Sequence, residues 1–417
     1  MRKNRTKDIE ISSPAELEVT PAVQVNEYYI DISNKFKTAK FITLITLIVF
    51  VLLMISVFRS DITLENCKYL VRFFSSANTV YSEDYDNIYY DTAGVVSLEM
   101  FNEDLVAVKN DSIELYDMNG NNVASYDINQ NTPTVVTNGK YMLVYDLGGN
   151  RFKLFNNFSM LTEGSYDYPI SMGTVSPDGM YAIVTKSLDY QSVIYLYDHN
   201  FNLISKIYKD KYITDLKITS DGDRLLCISA YAENGSFISE VMTYAPYTDS
   251  QESTTVLNDT FALSCGFFSD GGYSVLSDSA LLFYNSSNEK AGEFKLGNIV
   301  PTNCLILDDY VVLCYSENIV GSHSRVMVFD TDGGVLVDTT VDDKILDACA
   351  FMEELYILTD SKVTCINTET GEQLDCKVEK SAVSIFASDT GSVVIGYSNK
   401  AKAYKTGDLF DPYSEDE

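Results

Sequence analysis

A short run of aliphatic and aromatic residues closed by Asp or Asn recurs along most of this chain, and its spacing restricts the fold more than any other feature. It reads IELYD at Asp117, FKLFN at Asn156, IYLYD at Asp198, LLFYN at Asn285, VMVFD at Asp330 and VTCIN at Asn367, with weaker members EVMTYA around Tyr244 and AKAYK at Lys405. Successive members lie roughly forty residues apart, a period that belongs to stacked repeats. Each period divides into four short apolar alternations, most legibly PISMGTV, MYAIVTK, SVIYLYD and LISKIYK in the third. Four strands per period of this length make a propeller blade, a sheet too small to stand alone and stable only between its neighbours.

Eight units therefore predict an all-β, eight-bladed β-propeller of four-stranded antiparallel blades over residues 80–408, with seven blades as the alternative if the unit at Tyr244 is not a true repeat. The last unit offers only three strands, AVSIFAS, SVVIGYS and KAKAYKT. The missing one is expected at Tyr85–Tyr90 (YDNIYY), so that the two ends pair and leave no open edge. The turns SPDG (Ser176–Gly179), TSDG (Thr219–Gly222) and FSDG (Phe268–Gly271) read as tight hairpins. Each of Asp178, Asp221 and Asp270 stands alone in its own hairpin, which argues for turn chemistry over catalysis or metal binding.

Ahead of this body runs Phe41–Phe58, FITLITLIVFVLLMISVF, with no charged residue. A helix of that length covers roughly the hydrocarbon thickness of a bilayer. Lys35, Lys37 and Lys40 precede it and only Arg59, with Asp61 close by, follows. Basic residues stay on the cytoplasmic side, which predicts a cytoplasmic N-terminus and an extracytoplasmic body. The expected organisation is a disordered tail over 1–38, a transmembrane helix over 39–59, a stalk helix or linker over 60–79, the propeller over 80–408 and an acidic tail over 409–417.

The charge balance then narrows the partners. The whole chain holds 60 acidic and 30 basic residues, and almost all of the imbalance falls after the apolar run. Such a surface is repelled by phosphate polymers, so nucleic acid is excluded as a partner. Eight cysteines all follow the apolar run, and seven sit in apolar strand-like segments such as LLCIS and NCLIL, the pattern of buried thiols. Spacing alone leaves open a pair such as Cys304 with Cys314.

These turns and repeats are where the body resembles the wide group of bacterial propellers with SPDG-type hairpins, related to the YVTN, quinoprotein-like and WD40 classes. With the apolar run included, the chain resembles an uncharacterised family of single-pass, membrane-anchored, surface-exposed bacterial propellers. The resemblance implies a fold and no activity. TGEQL after Asn367 and AGEF before Lys295 are similar to the quinoprotein repeat, but that repeat carries tryptophan and this chain has none. No cofactor is expected.

Chemical motifs are absent: there is no G-x-S-x-G elbow, P-loop, dinucleotide turn, H-E-x-x-H or Cys/His cluster, and the only histidines are His199 and His323. No catalytic residue and no metal site is assigned. Three segments joining second to third strands are longer than a hairpin needs, SLDYQ (Ser187–Gln191), AYAENGS (Ala230–Ser236) and SENIVGSHS (Ser316–Ser324), and extended loops on a rigid scaffold carry recognition. Asp189, Tyr190, Tyr231, Glu233, Asn234, Glu317, Asn318 and His323 are the candidate ligand-binding residues. The expected function is a membrane-anchored binding or scaffold module for a protein or cell-envelope ligand. The alternatives are a hydrolase or lyase using carboxylates in the axial funnel, and a surface sensor.

Overall fold

Every strand of the computed structural model belongs to one of eight four-stranded antiparallel sheets. The structure describes residues 27–57, 87–90, 94–138, 140–156, 159–248, 250–317, 323–388 and 391–405. The inner strands of blades 1 to 8 are Val95–Phe101, Pro133–Asn138, Ile170–Val175, Tyr212–Ile218, Ala262–Phe267, Pro301–Ile306, Ile345–Phe351 and Ala382–Ala387. Each contacts the inner strand of the next blade, and that of blade 8 contacts that of blade 1, so the sheets form a closed ring. The unit at Tyr244 is a full repeat, the third strand Ser236–Ala245 of blade 4.

Ring closure takes the predicted form. Asn87–Tyr89 is the outer strand of blade 8, with Asn87, Ile88 and Tyr89 opposite Lys402, Ala401 and Lys400. Tyr85 and Asp86 lie outside the described residues.

The second strands are apolar without alternation, as in Asp104–Lys109, Tyr181–Thr185 and Tyr273–Ser277, because both of their faces are covered by adjacent blades. The outer strands alternate between half-buried and exposed, as in Lys290–Lys295. The hydrophobic core is accordingly divided into eight clusters, one at each blade junction. The junction between blades 8 and 1 gathers Ile88, Leu105, Ala107, Val394 and Ala401, and a fully buried aliphatic side chain there contributes about 1.5–3 kcal/mol.

The recurring Asp or Asn that marks the repeat caps the turn after the third strand in the blades that carry it, all but blades 4 and 8. Asp198 Oδ1 accepts the N–H groups of Asn200 (2.9 Å) and Asn202 (2.8 Å), and Asp117, Asn285, Asp330 and Asn367 do the same in their own turns. The hairpin aspartates also act as turn residues: Asp270 Oδ1 accepts from Gly272 N at 2.7 Å beside Gly271 at φ 82°.

Every inner strand except that of blade 2 carries a bulge near its start, where a residue is left unpaired with the second strand. Just past the bulge, Asp215 of blade 4 accepts the N–H of Cys265 in blade 5 at 2.8 Å, and Asp347 of blade 7 accepts that of Ile385 in blade 8 at 3.0 Å. These two carboxylates tie one inner strand to the next.

The helix Glu27–Val57 is a unit separate from the propeller. It begins inside the stretch expected to be a disordered tail, because Glu27 to Lys40 continues the helix of the apolar run without a Gly or Pro to stop it. Ile32–Met54 is long and apolar enough to cross a membrane. Thr43 and Thr46 donate their hydroxyls to the carbonyls of Ala39 and Ile42 at 2.9 and 3.0 Å, which removes their cost in an apolar medium. The expected stalk over 60–79, the acidic tail over 409–417 and Cys67 lie outside the described residues.

Candidate binding face

Turns between second and third strands share one face of the ring with the segments that link consecutive blades. The candidate residues of the sequence reading divide between blades 3, 4 and 6 on this face. In blade 3, Ser187 Oγ accepts the N–H groups of Asp189 (3.2 Å) and Tyr190 (3.3 Å), and the Tyr190 ring packs 5.0 Å from that of Tyr208.

Blade 4 corrects the sequence reading. No long loop exists at 230–236, since Leu225–Glu233 and Ser236–Ala245 are long strands paired up to Glu233 opposite Ser236. Asn234 (φ 51°) and Gly235 (φ 85°) form a two-residue turn whose positive φ values suit the twist of the hairpin. Tyr231 is a strand residue beneath Lys211, whose Nζ stands 4.1 Å from the ring centroid and also pairs with Glu240.

In blade 6, Glu317 N–H donates to His323 O at 2.9 Å and closes the base of the loop. Glu317 pairs with Arg325 at 3.3 Å, and His323 Nδ1 lies 3.0 Å from Asp342. Asn318 lies outside the described residues. The ring and side-chain partners of these residues lie in their own blades, so the structure does not bring the three segments together into one site.

A different cluster on this face was missed. Two clefts at blade 2, of about 440 and 400 Å³, share Asn129 and Arg151. The first is lined by Asn129, Asn131, Asn150, Arg151, Asp167 and Tyr168, brought together where Leu147 bridges Ile170 of blade 3. Asp146 fixes one wall by accepting the N–H groups of Asn131 (3.0 Å) and Thr132 (2.8 Å). Among the described residues Arg151 has no ion-pair partner, and the side-chain amides of Asn129, Asn131 and Asn150 have no hydrogen-bond partner. Lys153, in the second cleft, is engaged by Asp127 O at 2.9 Å and Glu163 at 3.4 Å. The sequence signal was compositional, the polar segments NQNT and GGNR separated by a two-stranded hairpin, and it carries no period.

Acid/base chemistry at the axis would need converging carboxylates. The inner strands contribute Glu99, Asp215 and Asp347, and the last two are occupied by main-chain N–H groups. Burial, with the like charge of Asp347 adding to it, pushes Glu99 up to about 7. Among the described residues no three His, Cys, Asp or Glu side chains gather as metal ligands. The seven described cysteines are free, Cys304 and Cys314 included, and burial pushes the thiols of Cys227, Cys304, Cys314 and Cys365 up to about 12.

Two solved structures share this architecture. BamB from Moraxella catarrhalis matches with a TM-score of 0.52 at 10% identity, over 77% of this chain and 98% of its own. Sqt1 from Chaetomium thermophilum, bound to the N-terminus of the ribosomal protein L10, matches with a TM-score of 0.52 at 11% identity, over 77% of this chain and 100% of its own. Likeness at these identities shows the fold alone. No curated protein matches the sequence. The family model that does match, over residues 76–405, is described as a family of unknown function (DUF5711), and by a match over most of its length the chain belongs to that family.

Proposed function

We propose that this chain is a membrane-anchored binding module that holds a protein or cell-envelope ligand on the loop face of an extracytoplasmic propeller. The observation that carries the reading is the blade 2 cleft, where a guanidinium and three amides stand without partners on a rigid ring. Polar groups in a concave site orient a ligand, and a cation on a strongly acidic body is spent on something other than the fold. The lysines before the apolar helix support the orientation, and the charge of the body speaks against nucleic acid. The propeller whose structure includes a bound protein N-terminus, Sqt1, supports a binding role by likeness of fold.

The test uses the full chain in detergent micelles, with envelope extract passed over parent and over an Arg151→Ala/Asn131→Ala double variant. A ligand of this cleft is retained by the parent and reduced by at least about tenfold on the variant, the loss expected when a hot spot is removed. Equal retention sinks the cleft as the site. Protease added to intact spheroplasts should remove the propeller and spare the N-terminal segment, and protection of the propeller would reverse the orientation.

A second reading, an enzyme with an axial carboxylate, is favoured by one observation, the raised Glu99. Glu99→Gln should then abolish turnover of an envelope substrate while leaving capture intact, and unchanged turnover removes this reading.

A further inference from the structure

The wall of the blade 2 cleft offers donors and acceptors together. Arg151 and the amide nitrogens of Asn129, Asn131 and Asn150 donate, while the amide oxygens and the exposed carboxylate of Asp167 accept. A hydroxyl donates one hydrogen bond and accepts two, so a ligand dense in hydroxyls can answer both kinds of group. Charge within the cleft is balanced. Arg151 shares it with Asp167, and in the adjoining cleft Lys153 is already paired with Glu163 at 3.4 Å. On a body this acidic, such a site has no field that would draw in a polyanion.

A peptide would use other features. An extended peptide is held by the main-chain groups of a strand edge or by apolar side chains set in pockets. Here the main-chain N–H groups of the wall are taken: those of Asn131 and Thr132 by the Asp146 carboxylate, that of Gly148 by Ile170 O at 2.9 Å and that of Gly149 by Asp146 O at 2.9 Å. No Leu, Ile, Val or Met side chain lines the first cleft.

Beside the cleft stands a pair of exposed rings. Pro169, on the cleft wall, accepts the N–H of Lys186 at 3.2 Å, and the turn Ser187–Tyr190 follows directly. The ring of Tyr190, 38% exposed, packs 5.0 Å from that of Tyr208, 51% exposed, so the two form a ledge on the same face. A tyrosine presents a flat, electron-rich face and a polar tip, which suits the C–H face and hydroxyl rim of a sugar ring. We propose, on the reading that the blade 2 cleft is the binding site, that its ligand is a neutral glycan of several sugar units. Its hydroxyls engage Arg151, Asp167 and the three amides, and a further unit stacks on Tyr190 and Tyr208.

The test measures fluorescence anisotropy of end-labelled hexasaccharides of glucose, of mannose and of N-acetylglucosamine with the full chain in polyoxyethylene detergent micelles, which carry no sugar. A hexamer of galacturonate is the anionic control. At least one neutral hexamer is expected to saturate below about 1 mM, and the galacturonate to bind at least about tenfold more weakly. Arg151→Ala/Asn131→Ala and Tyr190→Ala/Tyr208→Ala should each weaken the neutral hexamer at least about tenfold, with folding checked by circular dichroism. Tyr190→Phe/Tyr208→Phe should recover what the tyrosine-to-alanine pair loses. No saturation by any neutral hexamer, equal binding of galacturonate, or unchanged binding by either alanine variant would overturn the proposal. A second arm separates failure of the glycan from failure of the cleft. Envelope extract treated with periodate, which destroys vicinal diols, should no longer be retained through the cleft, whereas extract treated with protease should be. Retention that depends on Arg151 and Asn131, survives periodate and is lost on proteolysis would keep the cleft and overturn the glycan in favour of a protein.

Discussion

The hydroxyl of Tyr90 donates to the main-chain carbonyl of Tyr397, 307 residues further along the chain, and lies 3.2 Å from Lys400 O. This contact lets the first strand of the propeller complete its last blade. Ile88, fully buried between blades 8 and 1, supplies the apolar part of the same closure. Ile88→Ala should destabilise the propeller by about 2–4 kcal/mol, and Tyr90→Phe by about 1 kcal/mol. Thermal unfolding followed by circular dichroism checks both, and an unchanged midpoint for Ile88→Ala would mean that the ring holds without its closing strand.

The turn at Asn234 gives a prediction about a residue first read as a ligand contact. Asn234 sits at φ 51°, a conformation that costs a side chain such as alanine about 1 kcal/mol more than it costs Asn or Gly. Asn234→Ala should lower stability by about that much and Asn234→Gly should be nearly neutral. The reverse order would show that the amide, and not the backbone, is what matters there.

Glu99 makes stability depend on pH. Its carboxyl is raised from 4.5 to about 7 by burial and by Asp347, so the folded state binds a proton that the unfolded chain has released. Stability from this group is full below pH 4.5 and falls as pH rises to 7. The loss is on the order of 2 kcal/mol after allowance for partial solvent exposure. Glu99→Gln should flatten the melting temperature between pH 5 and 8 relative to the parent. A parallel pH profile for the two proteins would refute the assignment.

The thiols should be inert in the folded protein. Cys227, Cys265, Cys304, Cys314, Cys349 and Cys365 are all raised by burial, so the reactive thiolate is scarce at neutral pH. In a Cys67→Ser/Cys376→Ser background, a disulfide-exchange reagent at about pH 8 should label none of these six until denaturant is added. Rapid labelling of the native protein would show blade junctions that open.

The sequence alone determined the blade. Its period, the capping Asp or Asn after most third strands, and the incomplete last unit are local signals, because turn chemistry and strand alternation act within a few residues. From these followed the eight blades and the closure of the last blade by a strand that includes Ile88, whose register opposite Ala401 came from the structure. The apolar helix was legible for the same reason, although its start at Glu27 was not, since a helix continues until something stops it. The Asn-Gly signal at Asn234 was present and misread as part of a loop.

What only the tertiary structure decided is which residues meet. Asn131, Asn150 and Asp167 lie in separate short turns and become one cleft only when blades 2 and 3 pack. The bulges that leave Val96 and Val383 unpaired and exposed arise from the register between inner and second strands. Register is set by packing against both neighbouring blades, a constraint that exists only once the ring has closed.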